Sequence, residues 1–233
     1  MLALEIFDNY VSWLSANVPL AYENLAPPAA PAELDALDEA VGATIPAEVK
    51  AVLAVHNGQK AALTASGSEH GVPCIPTLNF LSTTEIQKRW NFWAEIRNGP
   101  DIEALQAGGD VFHGAERLIK PLYTSPGWIP LWADPVREDY IGIDLDPAPA
   151  GTVGQIINFG RNEEKHFLCA TSFTELIRIL LDEVQSGAWQ ASQIGDDEEA
   201  DGSYENTEIL PWFGDPDEQL FNALYSRFET AQM

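Results

Sequence analysis

Between Trp128 and Ala170, four short segments follow one another with few residues between them: WIPLWAD, DYIGIDL, TVGQIINFG and KHFLCA. Each is rich in β-branched and aromatic side chains, the composition of strands rather than helices. Connections this short constrain the topology. A parallel neighbour needs a crossover of a dozen residues or more, whereas an antiparallel neighbour needs only a hairpin. The segments are therefore expected to form an antiparallel sheet, with the rest of the chain arranged around it.

What flanks the strands reads as helix. Ile6, Phe7, Tyr10, Val11 and Leu14 recur at helical spacing near the start. The prolines of LAPPAAP, residues 25–31, interrupt that helix. AELDALDEAVG puts Leu34, Leu37 and Val41 on one face, with Gly42 as a stop. TIPAEVKAVLAVHNG follows, with Pro46 near a helix start, where its missing N–H costs nothing, and Asn57-Gly58 at the end. IPTLNFL, residues 75–81, reads as a short strand. Ser82 with Glu85, and Ser172 with Glu175, carry the capping pattern that opens a helix. Helices, then antiparallel strands, then helices make an α+β domain, its sheet covered on one face. The expected divisions are an N-terminal helix (1–24), a Pro-rich linker (25–31), the α+β domain (32–187), an acidic segment (188–214) and a C-terminal helix (215–233).

The charge balance narrows the partners. The 233 residues hold 36 acids against 12 bases, a formal net charge of −24. Thirteen of the acids and one base, Arg227, lie in residues 182–233, so the end of the chain is the most acidic part. Such a field disfavours nucleic-acid phosphates and anionic lipid and favours a basic protein partner, although an acidic surface also serves solubility alone. Cys74 and Cys169 form no CxxC pair, no signal-peptide pattern opens the chain, and no charge-free stretch reaches transmembrane length. A reducing cytoplasmic setting is expected.

Few patterns point to chemistry. The sequence has no GxxxxGK, GxGxxG or GxSxG, and His56, His70, His113 and His166 are scattered without HExxH or HxH spacing. No cofactor, metal site or catalytic set is expected. The strongest candidate is the carboxylate-rich stretch WIPLWADPVREDYIGIDLDP. Period-two alternation places Asp139, Ile141, Ile143 and Leu145 on one face of a strand, and Tyr140, Gly142, Asp144 and Asp146 on the other. Asp144 and Asp146 form a DxD pair that could hold a divalent ion against a substrate phosphate, but no phosphate cradle accompanies them. Solvated or partner-facing carboxylates are the preferred reading. Trp128 and Trp132, on either side of Pro130, are either core or, beside the carboxylates, suited to a cationic partner. The expected partner surface is thus Trp128, Trp132, Asp134, Asp139, Tyr140, Asp144 and Asp146.

The order of motifs resembles the SUKH superfamily, also called the Smi/Knr cell-wall-assembly regulator family. LDALDEAVGATIPAEVKAVLAVHNGQ is similar to its opening signature at Gly42, Ile45, Pro46, Asn57 and Gly58. WIPLWAD, the strand ending in Asp-Leu-Asp-Pro, the GxxGQIINF strand and the Ser-Phe-capped helix follow in the same order, so the resemblance runs from about Glu33 to Gly187. It implies a curved, mainly antiparallel sheet backed by helices. For bacterial members it implies immunity proteins that neutralise toxins, and for fungal members regulators of glucan synthesis and wall signalling, with no catalytic residue set in either. DPVRED departs from the Gly-rich turn common at that point. On this reading the chain is a non-catalytic protein-binding module. The preferred role is immunity against a basic toxin domain, the alternative a regulatory scaffold in wall assembly. A metal enzyme using Asp144 and Asp146 is the third choice.

Overall fold

A computed structural model describes residues 2–62, 71–163, 165–194, 210–214 and 219–232. Its elements run α1 (Ala3–Asn17), α2 (Pro19–Asn24), α3 (Pro31–Val41), α4 (Ala47–Leu53), β1 (Asn79–Phe80), α5 (Thr83–Arg97), α6 (Ile102–Gln106), β2 (Asp110–Val111), β3 (Trp128–Ala133), β4 (Asp139–Asp144), β5 (Gln155–Gly160), β6 (Lys165–His166), β7 (Leu168–Ala170), α7 (Phe173–Gln185), β8 (Ala191–Ile194), β9 (Leu210–Phe213) and α8 (Leu220–Gln232).

The central sheet has the order β1-β3-β4-β5-β7, and every pair in it is antiparallel. β2 and β6 form a small parallel pair, and β8 and β9 an antiparallel one. The fold is α+β and mainly antiparallel, as the short connections require. Two local irregularities follow from particular residues. Pro130 has no N–H to give a ladder, and the β3–β4 register slips between Pro130 and Trp132. β1 reaches only Trp132 and Ala133, so no strand flanks Pro130 on that side. KHFLCA does not make one strand. The Asn158 side chain accepts from Phe167 N at 2.6 Å, in place of a ladder partner, and splits the segment into β6 and β7.

The sheet, expected to be covered on one face, is covered on both: every residue of β3, β4 and β5 is buried. α5 packs on β3, while α7 packs on β5 and β7. α5 starts where Ser82 Oγ accepts from Glu85 N at 3.2 Å, and α7 where Ser172 Oγ accepts from Glu175 N at the same distance. α7 buries Phe173, Leu176, Ile177, Leu180 and Val184, each contributing about 1.5–3 kcal/mol relative to exposure.

The N-terminal helix is docked. Its Ile6, Phe7, Tyr10 and Leu14 are buried against α4 and α7, and Tyr10 Oη donates to Cys74 O at 2.6 Å. The Pro-rich stretch is tied to the end of α4. Ala26 N donates to Gly58 O, Ala29 N to Leu53 O and Asn57 N to Pro27 O, all within 3.0 Å. His56, just beyond α4, contacts Ala26 O through Nδ1 at 2.9 Å, so it braces this strap. Gly42 ends α3 at φ 67°, a left-handed stop.

At the other end, α8 buries Leu220, Phe221, Leu224 and Phe228, with Phe228 beside Phe167 and Tyr225 beside Phe112. Its first N–H, from Leu220, donates to Thr77 Oγ1 at 3.1 Å, and Thr77 N donates to Phe213 O at 3.0 Å. Thr77 sits at φ 60°, a conformation that β-branched residues rarely adopt. The acidic run at 195–208, and residues 215–218 at the start of the expected C-terminal helix, lie outside the described residues.

Candidate functional site

The β3–β4 hairpin carries all seven residues expected to face a partner, and the structure divides them sharply. Trp128, Trp132, Asp134, Asp139, Tyr140 and Asp144 are buried, with Asp144 at 0% exposure. Asp146 alone is exposed, and its Oδ1 pairs with Lys120 Nζ at 2.5 Å. The alternation itself is as expected: Tyr140 stands opposite Phe159, Gly142 opposite Ile157 and Asp144 opposite Gln155, all on one face. The solvent expected beyond that face is absent, because other elements cover it. The Tyr140 ring packs on Phe159 at 5.6 Å and meets Trp93 of α5 at 6.5 Å. Trp128 packs on Phe159 and on His166, at 5.6 and 4.7 Å. Both indoles are core residues.

The buried carboxylates are occupied by the protein's own donors. Asp144 Oδ1 accepts from Asp146 N at 3.0 Å and Oδ2 from Gln155 Nε2 at 2.9 Å, which joins the end of β4 to β5. Asp139 Oδ1 accepts from Asn162 N at 2.8 Å and ties the hairpin to the turn after β5. Asp134 Oδ1 accepts from Val136 N and Arg137 N at 2.8 and 2.7 Å, and Gln219 Nε2 reaches Oδ2 at 3.3 Å. The two Asp134 bonds are those of an aspartate folding the backbone over itself into a turn. The result is a hairpin tip that presents Val136, 69% exposed, and Arg137 to solvent.

Glu138 completes the base of the tip. Its carboxylate accepts from the Arg89 guanidinium of α5 at 2.8 and 2.9 Å and from the Tyr140 hydroxyl. Burial pushes the Tyr140 hydroxyl well above the ordinary phenol range. Burial also raises Asp139, and it raises Asp144 to about 6 against the opposing pull of its N–H donors. Glu163, on the turn beyond Asn162, is pushed up to about 7 by burial, helped by the nearby charges of Asp139 and Asp134. These carboxylates hold protons more readily than free ones.

As a metal pair, the DxD motif fails on geometry. Asp144 is interior with both oxygens engaged, while Asp146 points outward to a lysine. Among the described residues, no group of three or more His, Cys, Asp or Glu side chains is placed to hold a metal ion. Cys74 and Cys169 are buried free thiols, and burial raises both pKa values. His166 is buried, with Nδ1 at 3.1 Å from Asn158 O and Nε2 at 2.8 Å from Leu122 O. No described helix is long and apolar enough to cross a membrane.

Two features lie outside the surface expected from the sequence. The exposed tip had a readable signal, since Asp-Pro initiates turns and Asp134-Pro135 stands at its start. The second is a polar knot beside the Asn57-Gly58 motif. Gln59 Oε1 accepts from Cys74 N and Phe80 N at 3.1 and 2.9 Å, and its Nε2 donates to Asn79 Oδ1 at 2.7 Å. Asn57 Oδ1 accepts from Thr83 N at 2.8 Å, and Gly58, at φ 73°, lies against the backbone of residues 80–82 with no room for a Cβ. This motif is a structural joint between α4 and the start of α5.

Comparison with known proteins places this geometry. The chain is 30% identical over 184 residues to the cell wall biosynthesis/cell cycle regulator smi1 of Schizosaccharomyces pombe, covering 76% of this chain and 35% of that protein. It is 24% identical over 207 residues to the cell wall assembly regulator SMI1 of Saccharomyces cerevisiae, covering 79% and 41%. It is 23% identical over 205 residues to the glucan synthesis regulatory protein of Neurospora crassa, covering 76% and 37%. The chain thus matches well under half the length of each of these relatives. Residues 28–179 match the model of one family, a span that holds the hairpin, the polar knot and the whole central sheet. On that match, the chain belongs to the SMI1/KNR4 family (SUKH-1).

Proposed function

We propose that this chain is a non-catalytic protein-binding module of the regulatory type, working in the cytoplasm on the assembly of the cell wall. The observation that carries this reading is the similarity to three fungal proteins named as regulators of wall biosynthesis and the cell cycle, of wall assembly, and of glucan synthesis. It favours the scaffold role over immunity, the role preferred from the sequence alone. The hairpin geometry agrees, since its buried carboxylates are committed to backbone and side-chain donors rather than aimed at a substrate. The contact surface moves accordingly, from the seven residues expected to the exposed tip at Val136 and Arg137. The net charge of −24 still favours a basic partner and speeds its approach more than it tightens the final complex.

The test is affinity capture by the whole chain from lysate of its own organism, quantified by mass spectrometry, with Val136→Ser/Arg137→Ala run in parallel. A set of wall-synthesis or signalling proteins that is depleted at least several-fold by the variant is the expected result. One basic toxin domain retained in stoichiometric amount would return the reading to immunity. Capture that the variant leaves unchanged would remove the hairpin tip from the interface.

A further inference from the structure

Far from the hairpin, a cleft of about 380 Å³ opens between the C-terminal ends of α1 and α7 and the start of β8. Two indoles, Trp13 and Trp189, and three side-chain amides, Asn17, Gln185 and Gln190, line it, and Gly187 forms part of its rim. The chain carries 36 acids, yet no acid or base is among the residues described as lining this cleft. Among the described lining residues a charged ligand finds no counter-ion, whereas a ligand without net charge needs none.

The lining is built rather than incidental. Trp13 is half-buried and stacks on Phe213 at 5.9 Å with the rings 25° apart. Trp189 is buried, and its Nε1 donates to Glu183 Oε2 at 3.2 Å. The other oxygen of Glu183 accepts from Arg227 Nε of α8 at 2.7 Å, so a salt bridge outside the cleft orients the indole. Gly187, at φ 83°, lets the chain leave α7 and turn back beside α1, where a residue with a Cβ would be strained. Gly214 N holds the Gln190 carbonyl at 3.0 Å.

The amides have capacity to spare. A side-chain amide offers two donors and an acceptor with two lone pairs. Gln185 has no side-chain partner among the described residues. Asn17 Nδ2 makes a single bond, to Trp13 O at 2.8 Å, and Gln190 Nε2 one to Gly187 O at 3.3 Å. A ligand suited to this site is uncharged, carries groups that both donate and accept hydrogen bonds, and has a flat face for an indole. The electron-rich face of an indole attracts weakly positive C–H groups such as those on the face of a pyranose ring. The cleft lies at the small end of the roughly 300–1,000 Å³ typical of ligand pockets, enough for one or two rings. We infer that this cleft is a binding site for a neutral saccharide, with Trp13 as the stacking platform and Asn17, Gln185 and Gln190 reading the hydroxyls.

The test is a titration of the full, isotope-labelled chain, following its indole and side-chain amide resonances by NMR. The probes are cellotriose, laminaritriose and maltotriose, with glucuronic acid, cyclohexanol and an uncharged proline peptide as controls. At least one trisaccharide is expected to shift the Trp13 indole and Gln185 amide signals saturably, with a dissociation constant on the order of 1 mM. Gln185→Ala is expected to weaken that binding about three- to ten-fold. Trp13→Ala is expected to weaken it about ten-fold or more. Because Trp13 also packs on Phe213, the exposed Asn17→Ala and Gln185→Ala variants carry the test if Trp13→Ala unfolds. Absence of saturable shifts with all three trisaccharides overturns the inference. So does binding that Gln185→Ala and Asn17→Ala leave unchanged, or tighter binding of cyclohexanol or the peptide than of any sugar.

Discussion

Asp144 and Asp146 stand two residues apart at the end of one strand and serve different ends. Asp144 has no contact with solvent, accepts two hydrogen bonds and has its pKa raised by burial to about 6. Asp146 is exposed and pairs with a lysine on the surface. The same contrast runs through the whole hairpin. Its strands are interior, and the tip at Val136 and Arg137 is the part open to solvent. A cluster of acids in a sequence is not a surface until the cover on each face is known.

The contrast can be broken most forcefully at the indoles. Trp132→Ala should cost about 3–5 kcal/mol in urea unfolding, the range for emptying a large buried aromatic site. A loss below about 1 kcal/mol would mean that the ring is not core, and the outward-facing surface read from the sequence would return. Next, Asp144→Ala should cost about 2 kcal/mol, because the Gln155 amide and the Asp146 N–H lose their acceptor inside the protein. Asp146→Ala, on the exposed ion pair, should stay within about 0.5 kcal/mol. Equal losses from the two would dissolve the distinction.

A smaller effect is expected at the turn. Asp134→Ala removes the acceptor of Val136 N and Arg137 N and should cost about 1 kcal/mol. Amide exchange should quicken at those two residues while the core of β4 stays protected.

The shallowest effect is the response to pH. Glu163 rises in the folded state from 4.5 to about 7 and Asp144 from 3.8 to about 6, so the fold binds protons that the unfolded chain has already released. Their stabilisation is complete below the unfolded values and is lost as pH rises through about 6 and 7. Buried His166 is lowered from 6.5 and works in the opposite sense, losing stability as pH falls below that value. Stability should therefore rise as pH is lowered from about 8, with His166 offsetting part of the gain below 6.5, and should go on rising until the unfolded carboxylate values of 4.5 and 3.8 are approached. Glu163→Gln should flatten the upper part of the curve, as thermal unfolding across that range would record.

Much of the architecture was legible because local chemistry specified it. The short turns dictated antiparallel pairing, Ser82 and Ser172 marked two helix starts, and the alternation along β4 agrees with its register. What occupies the space beyond each face of a strand is settled by distant residues. Trp93 over Tyr140 and His166 over Trp128 are contacts that no local pattern encodes. The pairs β2–β6 and β8–β9 are short and join segments far apart in the chain, so periodicity had too little to register. The cleft between α1 and α7 was illegible for the same reason, since Trp13 and Trp189 meet only through the fold.

The left-handed backbone of Thr77 has a consequence in time. Such a conformation costs about 1–3 kcal/mol, and here its holders include Phe213 and Leu220, the latter 143 residues further along. On a ribosome adding about 5–20 residues each second, those holders emerge on the order of ten seconds after Thr77 itself. During that interval Thr77 lacks both bonds, so the turn that leads into β1 is completed only when the end of the chain arrives. The last helix thus works as a late latch, and the strained turn at Thr77 is among the last parts of this fold to close.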